Sequence, residues 1–200
     1  MLPDDAEKFL VFAHGAGAGM THRWMEAMAQ ELAGRRIGTL RYQFPYMEQG
    51  SRRPDPKPLL FATVRAAVRT AGKLSEGLPL YAGGKSMGGR MTSMAAAESP
   101  LPDVRGIVFF GFPLHPPGAP STTRAEHLSA VSVPMLFLQG TRDTLADLDL
   151  LKPVCRNLGT KSTLEIVEGA DHSFHVLKKS GMNDAAVMAT IGSTVRAWMT

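Results

Sequence analysis

Short apolar runs alternate with longer helical patterns along most of this chain, and that alternation most restricts how it can fold. Runs rich in Val, Ile, Leu and Phe predict strands over Phe9–Ala13, Gly38–Tyr42, Leu80–Ala82, Val104–Phe110, Met135–Leu138 and Leu164–Val167. They are nearly continuous in apolar residues, as strands covered on both faces of a parallel sheet are. Helical patterns over His22–Ala33, Leu59–Leu74, Met87–Ala97, Leu145–Leu158 and Asp184–Met199 lie between them. The expectation is an α/β fold, an open parallel sheet with helices on both faces. The 200 residues suit one domain spanning 1–200. Two long Pro- and Gly-rich loops, Pro45–Pro58 and Pro113–Leu128, are flanked by the same kind of strand and do not read as linkers. The second leaves a predicted strand end, where ligands of open α/β sheets bind, so it could cover an active site.

Composition removes several function classes. Hydrophobic residues make up 44% and charged residues 20%, as in an ordinary globular protein. No apolar run approaches the length of a membrane span, and MLPDDAEK has no basic, then apolar, secretory signal. Together with a single cysteine, Cys155, this points to the cytoplasm. The formal charge of +4 is mild and scattered. Its densest cluster, Arg52, Arg53 and Lys57, reads as a solvated loop, so neither nucleic acid nor membrane is an expected partner. Metal hydrolysis is disfavoured because no H-E-x-x-H or close His/Cys pair exists, and no cofactor is expected.

The strongest chemical signal is LYAGGKSMGGRM. A short strand ends, Gly84-Lys85-Ser86-Met87-Gly88 follows, and a helix begins, which is the setting that gives G-x-S-x-G its meaning. The serine must stand on a strained, tight turn, and side chains two residues before and after it would collide with the strand and helix. The turn presents Oγ outward at a helix N-terminus, where negative charge is favoured, and makes the Met87 N–H one donor for an oxyanion. A P-loop would need glycine where Pro79 stands.

HGAG follows the first predicted strand and precedes a helix. Such a loop can supply the second oxyanion donor, placed at Ala16. Gly15, Gly17 and Gly19 do not fit the dinucleotide spacing, and no acidic residue follows the second strand. His14 reads as a residue that holds this loop by side-chain hydrogen bonds.

A serine hydroxyl needs a base, and the base needs an orienting acid. The order Ser, acid, His is met by Asp143, just past the strand in MLFLQGTRD, and by His172 in LEIVEGADHSFH. The rival role for Asp143 is a cap on a helix starting near Leu145. Asp147 and Asp149 read as exposed helix positions. His175 is the rival base, but His172 lies nearer the strand end; Asp171 is adjacent to it and poorly placed to orient it.

HGAGAGM, RYQFPYM, GGKSMGGRM, GFPLHPPG with its trailing EHL, QGTRD and GADHSF together resemble small hydrolases related to dienelactone hydrolases. That branch includes the α/β-hydrolase-like domains of testis-expressed proteins and of an NSL chromatin-complex subunit. The resemblance runs from His14 to Phe174 and implies the α/β-hydrolase fold, with six parallel strands in order 2-1-3-4-5-6. It also implies that Ser86, Asp143 and His172 form the triad. Dienelactone hydrolases carry cysteine where this chain has Ser86, so their substrate class does not transfer. The first antiparallel hairpin of such folds and any lid domain are expected to be missing.

The expected activity is hydrolysis of a small ester or thioester through an acyl-enzyme. Phe44, Tyr46, His115 and the Pro113–Pro120 segment are candidate pocket walls, with His14, Gly15 and Lys85 beside them. Lys85 and Arg90 flank Ser86; they read as solvated or salt-bridged, or as favouring an anionic substrate. The alternative function is a non-catalytic interaction module that kept the scaffold, against which the intact Ser, Asp and His argue.

Overall fold

A parallel strand buried on both faces needs helices above and below it, and the computed structural model, which describes residues 1–200, shows both layers. The strands are β1 (Lys8–Ala13), β2 (Ile37–Tyr42), β3 (Leu80–Lys85), β4 (Val104–Phe110), β5 (Met135–Gly140) and β6 (Ser162–Val167). They form one sheet in the order β2-β1-β3-β4-β5-β6, with every pairing parallel. The helices are α1 (Arg23–Ala33), α2 (Pro45–Glu48), α3 (Lys57–Leu74), α4 (Met87–Glu98), α5 (Leu148–Leu158) and α6 (Asp184–Trp198).

Alternate strand residues feed two cores. Phe9 and Val11 of β1, Ile107 and Phe109 of β4, and Met135 and Phe137 of β5 pack with α3, α4 and α5. Leu10 and Phe12, Val108 and Phe110, and Leu136 and Leu138 pack with α1 and α6. Each side chain of this size removed from water contributes about 1.5–3 kcal/mol. In α3, Leu60, Val64, Val68 and Ala71 recur at helical spacing on the buried side, and Pro at the first turn starts the helix where no N–H is needed. No helix is long and apolar enough to cross a membrane.

The structure adjusts the expected element bounds. β3 continues through Gly83, Gly84 and Lys85, because β1 and β4 supply partners on both sides despite the poor strand propensity of glycine. β6 is an edge strand with Glu165 and Ile166 exposed, so its apolar run is not buried on both faces. The last helix before β6 begins at Leu148, capped by Asp147 through a 2.8 Å bond from the Asp149 N–H, and not near Leu145.

The two long loops carry short elements. Pro45–Pro58 contains α2. Pro113–Leu128 leads into a 3-10 helix, Thr123–Ala130, whose Ala125 and Leu128 are buried against the α3–α5 layer, while Pro113 and Arg124 line a cleft at the carboxyl edge of the sheet. There His127 Nε2 lies 2.8 Å from Ser93 Oγ. Burial, then the charges of Arg90 and Lys57, push this imidazole down to about 4. Between that value and the ordinary one near 6.5, the unfolded chain binds a proton that the folded chain refuses. Stability is therefore expected to fall as pH drops from 6.5 towards 4 and to level off below. Urea denaturation across this range checks it: His127→Asn should flatten the slope relative to wild type.

Candidate active site

The loops that leave β3, β5 and β6 at their carboxyl ends bring Ser86, Asp143 and His172 together. His172 Nε2 stands 2.8 Å from Ser86 Oγ, and His172 Nδ1 stands 2.7 Å from Asp143 Oδ2. The carboxylate can only accept, so Nδ1 carries the proton and Nε2 is free to accept from the Ser86 hydroxyl. The Asp143 side chain is fully buried, whereas that of His172 is 24% exposed. A buried carboxylate must have its oxygens filled. Gln139 Nε2 donates to Oδ2 at 2.5 Å, and the Leu145 N–H donates to Oδ1 at 2.8 Å. Asp143 thus faces the imidazole, while Asp147 caps α5. His175 pairs instead with Asp184, and Asp171 accepts from the N–H groups of Ser173 and His175.

Ser86 sits at φ 51°, ψ −118°, a conformation that strains any residue with a side chain. The surrounding packing holds it there. A Cβ on Gly84 would lie 2.4 Å from the Ala13 carbonyl oxygen, and one on Gly88 would lie 2.4 Å from that of His14. Both glycines therefore give way to the end of β1. The collision expected from the sequence is real, but the obstacle is a neighbouring strand brought in by the topology. The Ser86 N–H extends the ladder to the Phe110 carbonyl at 3.1 Å.

The Gly-rich loop after β1 is fastened from behind. His14 is fully buried; its Nε2 accepts from the Phe44 N–H at 3.0 Å, which leaves Nδ1–H to donate to the Gly15 carbonyl at 2.7 Å. The Tyr46 hydroxyl donates to the Ala16 carbonyl at 2.9 Å. Burial pushes the His14 imidazole down, in keeping with a neutral ring. The Ala16 N–H has no acceptor in the protein. Met87, first residue of α4, likewise stands where a helix leaves its N–H groups free.

Ser86 lies where two clefts meet. The larger, about 880 Å³, is lined by Gly15, Ala16, Lys85 and His172, with Trp24, Met25 and Met188 as an apolar wall. The smaller, about 390 Å³, shares Ala16, Ser86 and Leu145 with it. Of the pocket candidates, Gly15 and Lys85 line the larger cleft. Phe44 and Tyr46 do not: both are buried behind the loop, which they support, and with His14 this corrects their assignment as pocket walls. His115 is also displaced from the site; it lines a separate depression, and its Nε2 accepts from the Asp147 N–H at 2.8 Å.

Lys85 is neither solvated nor salt-bridged. Its ammonium lies 5.6 Å from the Trp24 ring centre and 5.4 Å from that of Phe174, and it donates to the His172 carbonyl at 2.5 Å. Burial pushes it down to about 8, against the pull of Asp143 and Asp171. Gln139 and Gly111 escape sequence reasoning. Gly111 has φ +75°, and a Cβ there would lie 3.4 Å from the His172 ring and 3.2 Å from Lys85 Nζ. The only signals were a lone Gln in the apolar run MLFLQG and a Gly after β4.

A parallel sheet of this order, with a hydrogen-bonded Ser–His–Asp chain on the loops at its carboxyl edge, is the α/β-hydrolase arrangement. Residues 6–200 match the alpha/beta hydrolase domain family, and the chain belongs to that family of hydrolases. Solved structures share the fold. A dienelactone hydrolase from Anabaena variabilis superposes with TM-score 0.74 at 22% identity, over 98% of this chain and 87% of that one. An alpha-beta serine hydrolase homologue from Coxiella burnetii gives 0.75 at 15% identity, over 100% and 89%. A lidless serine hydrolase from Xanthomonas campestris gives 0.73 at 18% identity, over 99% and 87%.

Proposed function

We propose that this hydrolase is a serine enzyme that cleaves a small ester or thioester through an acyl-enzyme, without a cofactor. The observation that carries this is the unbroken chain Ser86 Oγ, His172, Asp143, at 2.8 and 2.7 Å, opening on a cleft. Oγ attacks the carbonyl carbon as its proton passes to His172 Nε2. Asp143 stabilises the imidazolium. Collapse of the tetrahedral intermediate breaks the bond to the leaving alkoxide or thiolate, which takes the proton from Nε2. Water then repeats the sequence on the acyl-enzyme, releasing the acid and restoring Ser86.

The oxyanion is held by the N–H groups of Ala16 and Met87. In a trans peptide the N–H points opposite to the C=O. The Gly15 carbonyl is drawn inward by His14 Nδ1, so the Ala16 N–H of the same peptide faces the cleft. His14 is thus a positioning residue. Losing an oxyanion donor lowers kcat by about 10²–10³, and misaiming one by less. His14→Leu is therefore expected to lower kcat about 10- to 100-fold with KM little changed, whereas His14→Asn, whose amide can donate to Gly15, recovers part of the loss. Steady-state kinetics on the variants check this.

Stopped-flow mixing with 4-nitrophenyl acetate tests the reaction class. The expected result is a burst of nitrophenolate equal to the enzyme concentration, with an acetyl group mapped to Ser86 by mass spectrometry. Hydrolysis that persists in folded Ser86→Ala would overturn it.

A further inference from the structure

The smaller cleft at Ser86 contains a charge imbalance that the triad does not use. Lys57, Arg90 and Arg124 all line it, and none has a carboxylate within salt-bridge distance. Arg90 lies one turn along α4 from Ser86; its Nε is buried and has no hydrogen-bond partner. Arg124 has one long contact, 3.4 Å to the Pro113 carbonyl. Asp55 is the only acidic residue in the lining, and its Oδ2 is occupied by the Tyr46 N–H at 2.9 Å. The Arg124 charge adds to burial in lowering Arg90, and Arg90 and Lys57 both act on the neighbouring His127.

A half-buried guanidinium with an unfilled N–H, facing two further cations, is an unfavourable arrangement that a bound anion relieves. The planar donor fork of Arg suits the paired oxygens of a carboxylate or phosphate, and it is less tightly hydrated than an ammonium. The larger cleft offers the contrast, because there the Lys85 ammonium is already satisfied by the His172 carbonyl and two rings. We propose that the smaller cleft is an anion subsite and that the substrate is an ester or thioester bearing a carboxylate or phosphate on the part that Arg90, Arg124 and Lys57 receive. This rests on Ser86 as the nucleophile.

Two matched ester pairs test it. Mono-4-nitrophenyl adipate against 4-nitrophenyl hexanoate places the charge on the acyl side; 4-acetoxybenzoate against its methyl ester places it on the leaving group. The wild type is expected to favour the anionic member of at least one pair by about tenfold or more in kcat/KM, the range of one or two charge-assisted bonds. In Arg90→Gln that ratio should fall to within about threefold of unity, with Arg124→Gln and the exposed Lys57→Ala each lowering it part-way. Calorimetry of adipate and of inorganic phosphate on wild type, at low salt, shows which oxyanion binds; loss of binding in Arg90→Gln supports the subsite. Ratios near one in both pairs, in a protein that hydrolyses the neutral esters, would overturn the subsite and leave Ser86 chemistry intact. No turnover of any ester and no acyl-Ser86 would overturn the Ser86 reading. In that case absence of adipate and phosphate binding would overturn the subsite as well.

Discussion

His172→Ala is expected to lower kcat for a simple nitrophenyl ester by about four to six orders of magnitude, and Ser86→Ala by a similar factor. Without His172 Nε2, nothing in the structure stands within reach of the Ser86 hydroxyl to take its proton, since His175 is committed to Asp184. The two residues form one unit, so the double variant should be no worse than either single one. Asp143→Asn should lower kcat by about 10⁴, because an amide in place of the carboxylate favours the wrong imidazole tautomer. His172 is partly exposed, and Gln139 and the Leu145 N–H still fill Asp143 when it is gone. His172→Ala should therefore melt within a few degrees of wild type. Single-turnover and steady-state assays on protein shown to be folded measure the effect.

Gly84→Val is expected to act on folding instead. Its Cβ would meet the Ala13 carbonyl oxygen at 2.4 Å and the Ala13 Cβ at 2.8 Å. Ala13 cannot retreat, because β1 is bonded to β2 on one side and β3 on the other. A clash with backbone in the middle of a sheet belongs among the large destabilisations, about 4 kcal/mol or more. For a chain of this length that corresponds to a melting point lower by about 10 °C or more, or to insoluble protein. Gly17→Ala is the control: nothing lies within 4 Å of its Cβ, so its stability should stay within about 0.5 kcal/mol of wild type. Chemical denaturation of both variants separates the two outcomes.

These predictions rest on features of unequal legibility in the sequence. β4 was readable to the residue because Ile107–Phe110 is apolar throughout and central in the sheet, and only Arg105 breaks the run that starts at Val104. The meeting of Ser86, Asp143 and His172 was readable because each follows an apolar run and their order along the chain is informative. The support around them was not. Gln139 matters only because β5 delivers its amide to Asp143, and Tyr46 only because α2 swings its hydroxyl under the Ala16 carbonyl. A ring such as that of Phe44, Tyr46 or His14 looks alike in sequence whether it faces a cleft or lies behind it. The face is decided by tertiary neighbours. The three cations of the smaller cleft come from α3, α4 and the 3-10 segment, far apart in sequence, so Lys57 read as part of a solvated basic loop, Arg90 as one flank of Ser86, and nothing joined them to Arg124.

In the proposed reaction everything depends on Ser86 being a nucleophile activated by His172. Treatment with a fluorophosphonate probe tests it most directly, because the phosphonyl group bonds to an activated serine hydroxyl far faster than to an ordinary one. One adduct per chain is expected, located on Ser86 by peptide mass spectrometry, absent in Ser86→Ala and much slower to form in His172→Ala. Folded wild-type protein that takes no label, or takes it on another residue, would contradict a nucleophilic Ser86.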